Sequence, residues 1–152
     1  MANKAIPPGV ALDASVIVPG LLSWHAQHGT ASAELIALLQ GPSKVLLPLH
    51  SLVEAYAVMT RLPPPHRLSP KDALAILEGS FGKRSILVGL DGEEGWDLIR
   101  ELGERSIAGG TTYDGLIAAC ARKGGARRLL TFNRRHFERL ESEELEILSP
   151  GS

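Results

Sequence analysis

Three acidic residues, Asp13, Glu54 and Asp114, stand where a lone acid is out of place, each against an apolar stretch. Asp13 directly ends the apolar run 9–12. In an open parallel sheet it would stand at the carboxyl edge of a strand, where such sheets bind ligands. Glu54 has Ala57 and Val58 three and four residues on, and Asp114 has Ile117 and Ala118 at the same offsets. Residues at those offsets share a helix face, so both acids adjoin a sheltered surface that is costly for an isolated carboxylate. Taken singly, each has an ordinary explanation. Asp13 would cap the turn into the next helix, Asp114 would answer the positive end of its own helix, and Glu54 would border an apolar stripe. Together they read differently. Three anions at one rim repel one another unless a cation joins them, and hard divalent ions such as Mg²⁺ or Mn²⁺ suit oxygen ligands. Such an ion activates water and neutralises charge on a phosphoryl group. Spacing alone does not bring the three acids together; a fold must.

The pattern of the chain supplies one. Short apolar runs at 9–12, 45–47, 85–90, 128–131 and 145–148 alternate with segments of helical period. Helices are expected at 30–40, stopped by Gly41-Pro42, and at 49–61, closed by Pro63-Pro64-Pro65. Another opens with Ser69 as cap, Pro70 in the first turn and Asp72 at the positive end. An acidic amphipathic helix at 92–104 carries Trp96, Ile99 and Leu102. The last, at 112–123, sets Tyr113, Leu116, Ile117 and Cys120 at core spacing and ends at Gly124-Gly125. Strands separated by helices imply a parallel sheet with helices on both faces. The expectation is one α/β domain over 1–152, three-layered α/β/α, with a mostly parallel central sheet of about five strands. Its 152 residues, 44% hydrophobic, suffice for one sizeable core.

The residues that carry chemistry also resemble a known family. Leu12-Asp13-Ala14-Ser15-Val16-Ile17, Glu54-Ala55 within a helix, Tyr113-Asp114 opening a later helix, and Leu130-Thr131-Phe132-Asn133 followed by His136-Phe137 are similar, in order and separation, to PIN domains. Within that family they resemble the VapC-type toxins of prokaryotic toxin–antitoxin pairs. The resemblance covers nearly the whole chain, and its ordered set is more specific than any one piece. It implies a sheet that gathers Asp13, Glu54 and Asp114 around Mg²⁺ or Mn²⁺. It implies endonucleolytic cleavage of RNA by an activated water, leaving a 5′-phosphate and a 3′-hydroxyl. A cognate antitoxin as inhibitor and a homodimer are implied as well. Ser15 matches a position where the family often has a hydroxyl that supports the first aspartate or a water, and Thr131 matches a small hydroxyl near the site. One departure matters: where many members carry a fourth acid, this chain has Asn133. An amide oxygen still binds a hard cation or its water but adds no negative charge, which puts a second tightly held ion in doubt. The rival reading is a PIN fold that binds RNA or a protein without cutting.

The remaining features constrain rather than decide. Segment 122–139 holds seven basic residues against one acid, Glu138, and could grip an RNA backbone, with Arg134 and Arg135 best placed because they follow Asn133. Otherwise it is a solvated surface. A net charge of −1 argues against wholesale coating of nucleic acid, although an acidic site offsets a basic face. His25 and His28, beside Trp24, have the spacing of a zinc pair but no further ligand nearby, so a polar surface loop is expected. His136 is expected to be structural. Gly109-Gly110 and Gly124-Gly125 lack the lysine and spacing of phosphate-cradling loops. A haloacid-dehalogenase-like site would place a second acid where Ser15 stands. The single cysteine, Cys120, forms no internal disulfide and fits a reducing compartment. The apolar stretch 10–22 is broken by Asp13 and Pro19, and the Met-Ala-Asn-Lys start lacks a secretory apolar region, so a cytoplasmic protein without a membrane span is expected.

Overall fold

Apolar runs of three to five residues are too short to form helices, and in the computed structural model, which describes residues 8–152, they are the strands. The order is β1 (Gly9–Leu12), α1 (Ala14–Leu21), α2 (His28–Gln40), β2 (Val45–Pro48), α3 (Leu49–Arg61), α4 (Pro70–Phe81), β3 (Ser85–Val88), α5 (Gly92–Glu104), α6 (Thr111–Lys123), β4 (Ala126–Leu130), α7 (Arg134–Phe137) and β5 (Glu146–Leu148). The N-terminal Met-Ala-Asn-Lys segment lies outside the described residues. All five strands pair in parallel, in the order β3-β2-β1-β4-β5.

Alternate residues along the central strands β1 and β2 enter different cores, as a pleated strand requires, and Leu129 and Leu130 of β4 divide in the same way. Val10, Leu12, Val45, Leu47 and Leu130 join the layer of α1 to α4, with Ile17, Leu35, Met59 and Phe81. Ala11, Leu46, Leu129 and Ile147 join the layer of α5 to α7, with Leu98, Ile117 and Phe137. The chain builds outward from β1 to β2 and β3, then returns to the other side of β1 as β4. That reversal is the switch point of the sheet, where a crevice opens at the carboxyl ends of β1 and β4.

Local chemistry explains most boundaries. Ser69 accepts from the Asp72 amide at 3.1 Å and starts α4, with Pro70 as its first residue. Asp91 and Glu94 form a reciprocal capping box at α5. Two expectations about apolar faces need correction. α5 buries Leu98 and Leu102, leaving Trp96 64% and Ile99 52% exposed. Tyr113, expected in the core, is 59% exposed, while Leu102 takes the space beside Gly115. Among the described residues no helix is long and apolar enough to cross a membrane.

α1 follows Asp13 immediately and sets its direction, and α1 rests on α2 through a glycine. A Cβ on Gly20 would collide with Leu35 Cδ1 and lie 3.1 Å from Leu35 Cγ and 3.6 Å from the Ala31 carbonyl oxygen. Leu35 is buried and has little room to yield. Gly20→Ala should therefore destabilise by about 1–3 kcal/mol, although alanine favours a helix by up to about 1 kcal/mol. Thermal unfolding followed by circular dichroism should show a drop of several degrees; an unchanged or higher Tm would contradict this close packing.

Candidate active site

Asp13 occupies the N-cap of α1, yet its side chain makes no capping bond. Its Oδ2 instead accepts from Ser15 Oγ and Thr131 Oγ1, each at 2.7 Å. The residue is 4% exposed and Thr131 is fully buried. The ordinary explanation for this aspartate, a helix cap, is thus not how its carboxylate is used. Register places the hydroxyls there. Leu12 pairs with Leu130, so the residues that follow, Asp13 and Thr131, leave neighbouring strands side by side at the switch point. Each hydroxyl also accepts a backbone N–H: Ser15 Oγ from Phe132 and Thr131 Oγ1 from Asn133, both at 2.9 Å. With Oδ2 doubly bonded, Oδ1 has no hydrogen-bond partner among the described residues and remains available as a ligand.

Glu54 on α3 and Asp114 on α6 line the same cavity of about 970 Å³ as Asp13, Ser15 and Asn133. Burial and then the Asp13 charge push the Glu54 carboxyl above its usual range, against the opposing pull of His50 and Arg61. Asp114 is pushed up to about 6 by burial, then by Asp13, with Glu54 adding to the rise and His136 opposing it. A helix N-terminus alone would lower this value, so the neighbours overrule the dipole. The acids sense one another across the cavity without closing on a point. Among the described residues, no three His, Cys, Asp or Glu side chains are close enough to hold an ion as they stand. The chemistry of the donors still fits a hard cation, because the acids offer carboxylate oxygens and Asn133 an amide oxygen.

The structure brings together six of the eight residues singled out in the sequence. Asp13, Ser15, Glu54, Asp114 and Asn133 line the cavity, and Thr131 stands behind Asp13. Arg134 and Arg135 do not line it. They are exposed on α7, the same short helix whose His136 does line the cavity. Of the wider basic run, Arg122 and Arg139 donate to the carbonyls of Leu140 and Arg105, and Lys123 pairs with Glu94 at 2.6 Å. These three are engaged in contacts within the protein. The basic and imidazole groups that do face the cavity are Arg61, His25, His50 and His136. Sequence reading assigned His25 to a surface loop and His136 to structure, and it passed over Arg61 and His50. Only the position of Arg61, two turns after Glu54 on one helix, could have hinted at it.

A PIN-domain family model matches residues 10–143. The chain belongs to the PIN-domain family. Ribonuclease VapC40 of Mycobacterium tuberculosis is 38% identical over 138 residues, covering 91% of this chain and 96% of that protein. The same fold recurs in the crystal structure of Mycobacterium tuberculosis VapC20, a sarcin-ricin loop cleaving toxin, with a TM-score of 0.67 at 17% identity over 89% of this chain and 98% of that one. It recurs too in VapBC2 of Rickettsia felis bound to a DNA fragment from their promoter, with a TM-score of 0.63 at 17% identity over 92% and 97% of the two chains.

The repulsion within this PIN domain has a measurable consequence. The folded Asp114 carboxyl titrates near 6, above its ordinary 3.8, so between those values the folded state holds the proton more often than the unfolded state. Stability from this group is present at acid pH and lost as pH rises through that window. Asp114→Asn removes the charge and should stabilise the metal-free protein by about 1 kcal/mol at pH 7.5, after allowance for solvent screening of a half-buried group. Below pH 4 the two proteins should match. Urea unfolding in EDTA at both pH values checks the sign; a destabilised Asp114→Asn at pH 7.5 would contradict it.

Proposed function

We propose that this PIN domain, a single domain over 1–152, is a Mg²⁺- or Mn²⁺-dependent endoribonuclease and the toxin of a VapBC-type pair. The observation that carries the reading is the Asp13 carboxylate. It is buried at the switch point and held by two hydroxyls on one oxygen, and it faces Glu54 and Asp114 across one cavity. A helix cap or a solvated surface acid would need none of this.

The cation, when bound, supplies a Lewis acid that neutralises phosphoryl charge and activates water for in-line attack. Asp13, Glu54 and Asp114 hold it. Ser15 and Thr131 fix the plane of the Asp13 carboxylate, and Asn133, tethered through its amide to Thr131, offers a neutral oxygen at the exposed rim. Arg61 and His136 line the wall where a substrate phosphate needs a counter-charge. The partners in this reading are RNA as substrate, a cognate antitoxin that blocks the cavity, and a second copy in a homodimer. The likeness to VapBC2 supports the antitoxin. A separate apolar groove of about 410 Å³ between α3, α4 and the edge strand β3, lined by Val53, Tyr56, Leu74 and Leu87, provides surface for a protein partner. A reducing cytoplasm is the natural setting.

Purified protein free of antitoxin should cleave RNA only with Mg²⁺ or Mn²⁺. Asp114→Asn should nearly abolish cleavage with the fold intact, since the side chains are almost isosteric. Thr131→Val should lose about 10–100-fold by releasing the Asp13 carboxylate. Asn133→Ala should keep measurable activity, because it removes an oxygen but no charge. Parent-level cleavage by Asp114→Asn would overturn the assignment.

A further inference from the structure

Tyr113 stands out on the cavity wall. Its spacing on α6 belongs to the core side, yet it is 59% exposed and lies immediately before Asp114. Its ring is nevertheless held. It lies almost parallel to the His50 imidazole, with centroids 5.3 Å and planes 13° apart. His50 is held in turn on α3, with Nε2 3.8 Å from the Glu54 carboxylate. The two helices that carry Glu54 and Asp114 therefore also brace one aromatic ring at the mouth of the cavity that both rings line. The phenol thus stacks on His50 while most of its surface stays exposed.

An apolar ring held in a fixed plane beside a phosphodiester site is a stacking surface. Every nucleobase has a π face, but a base can present it to a side chain only when unstacked from its neighbours, as in single strands, loops and bulges. Arg61 and His136 can read the charge of a phosphate; they cannot distinguish a paired base from a free one. We propose that Tyr113, braced by His50, is the platform on which an unpaired nucleobase next to the scissile phosphate stacks, confining cleavage to single-stranded or looped-out RNA. This deepens the ribonuclease reading and rests on it for the scissile bond, whereas base stacking itself is measurable without cleavage.

The probe is a labelled, mixed-sequence single-stranded oligoribonucleotide. Its binding is measured by anisotropy in EDTA, and its cleavage is measured with Mg²⁺ or Mn²⁺. Tyr113→Ala should raise Kd and KM about tenfold with kcat little changed, as expected for the loss of one stacked base. Tyr113→Phe keeps the ring and should restore both. Trp96→Ala, on the exposed face of α5 away from the cavity, should behave as the parent. Annealing the oligoribonucleotide to its complement should weaken the parent and erase the difference between parent and Tyr113→Ala. Equal Kd and KM for parent and Tyr113→Ala, or failure of Tyr113→Phe to rescue with an unchanged Tm, would overturn the platform and assign Tyr113 to a protein-facing surface. A parent that cuts no RNA with either metal would overturn the ribonuclease reading instead, while the binding arm still decides on stacking.

Discussion

A carboxylate buried to 4% exposure at the end of a central strand is the constraint around which the site is built. An ionised carboxyl so placed is strongly disfavoured unless donors satisfy it. Of the two donors, Ser15 lies two residues on in the first turn of α1, whereas Thr131 comes from the far end of the sequence and is set beside Asp13 by the parallel pairing of β1 with β4. The hydroxyls do more than neutralise a cost. Each gives its proton to Asp13 and takes a backbone N–H from the loop after β4, so the orientation of Asp13 and the course of the chain through Phe132 and Asn133 are one network. A slip in register between β1 and β4 would take Thr131 from Asp13, unseat the loop and move Asn133 together.

Around that fixed anion the other acids are arranged less tightly. Glu54 and Asp114 are half-buried, and each is driven toward the protonated form first by burial and then by Asp13. The opposing groups, His50 and Arg61 beside Glu54 and His136 beside Asp114, are partly solvated, and an imidazole carries charge only when protonated. The fold thus tolerates the three acids without compensating them fully. That residual repulsion costs the folded state stability, and neutralising the charge would return it.

Which parts of this were legible in the sequence follows from where the information resides. α3 was read at its observed end and α4 at its observed start because local chemistry marks them, the Pro63 stop and the Ser69 cap, and α5 was read from its amphipathic period, its Asp91–Glu94 box emerging only in the structure. α1 was not delineated. Val16, Ile17 and Val18 favour strands, and Pro19 and Gly20 oppose a helix interior; the helix exists because its residues are buried against α2 and α3. Ser15 and Thr131 were legible only through a family likeness, since nothing local ties residues 116 positions apart. Arg61, His50 and the exposed face of Tyr113 depend on how α3 meets α6, which no single-chain period reveals. Arg134 and Arg135 follow Asn133 in sequence, but on α7 it is His136 that reaches the cavity wall, while the two arginines stand exposed beside it.

Asn133 shows how the same electrostatics limits the composition of the site. The position is exposed at the rim and tethered by its amide to Thr131, so a carboxylate there would face the cavity from a fixed anchor. A fourth anion would push Asp114, already at about 6, closer to neutral pH, and would leave it protonated for more of the time. A neutral amide keeps an oxygen available and adds nothing to the repulsion. With Asn133, Glu54 and Asp114 lose their protons more readily than beside a fourth anion, and the folded protein keeps stability it would otherwise lose.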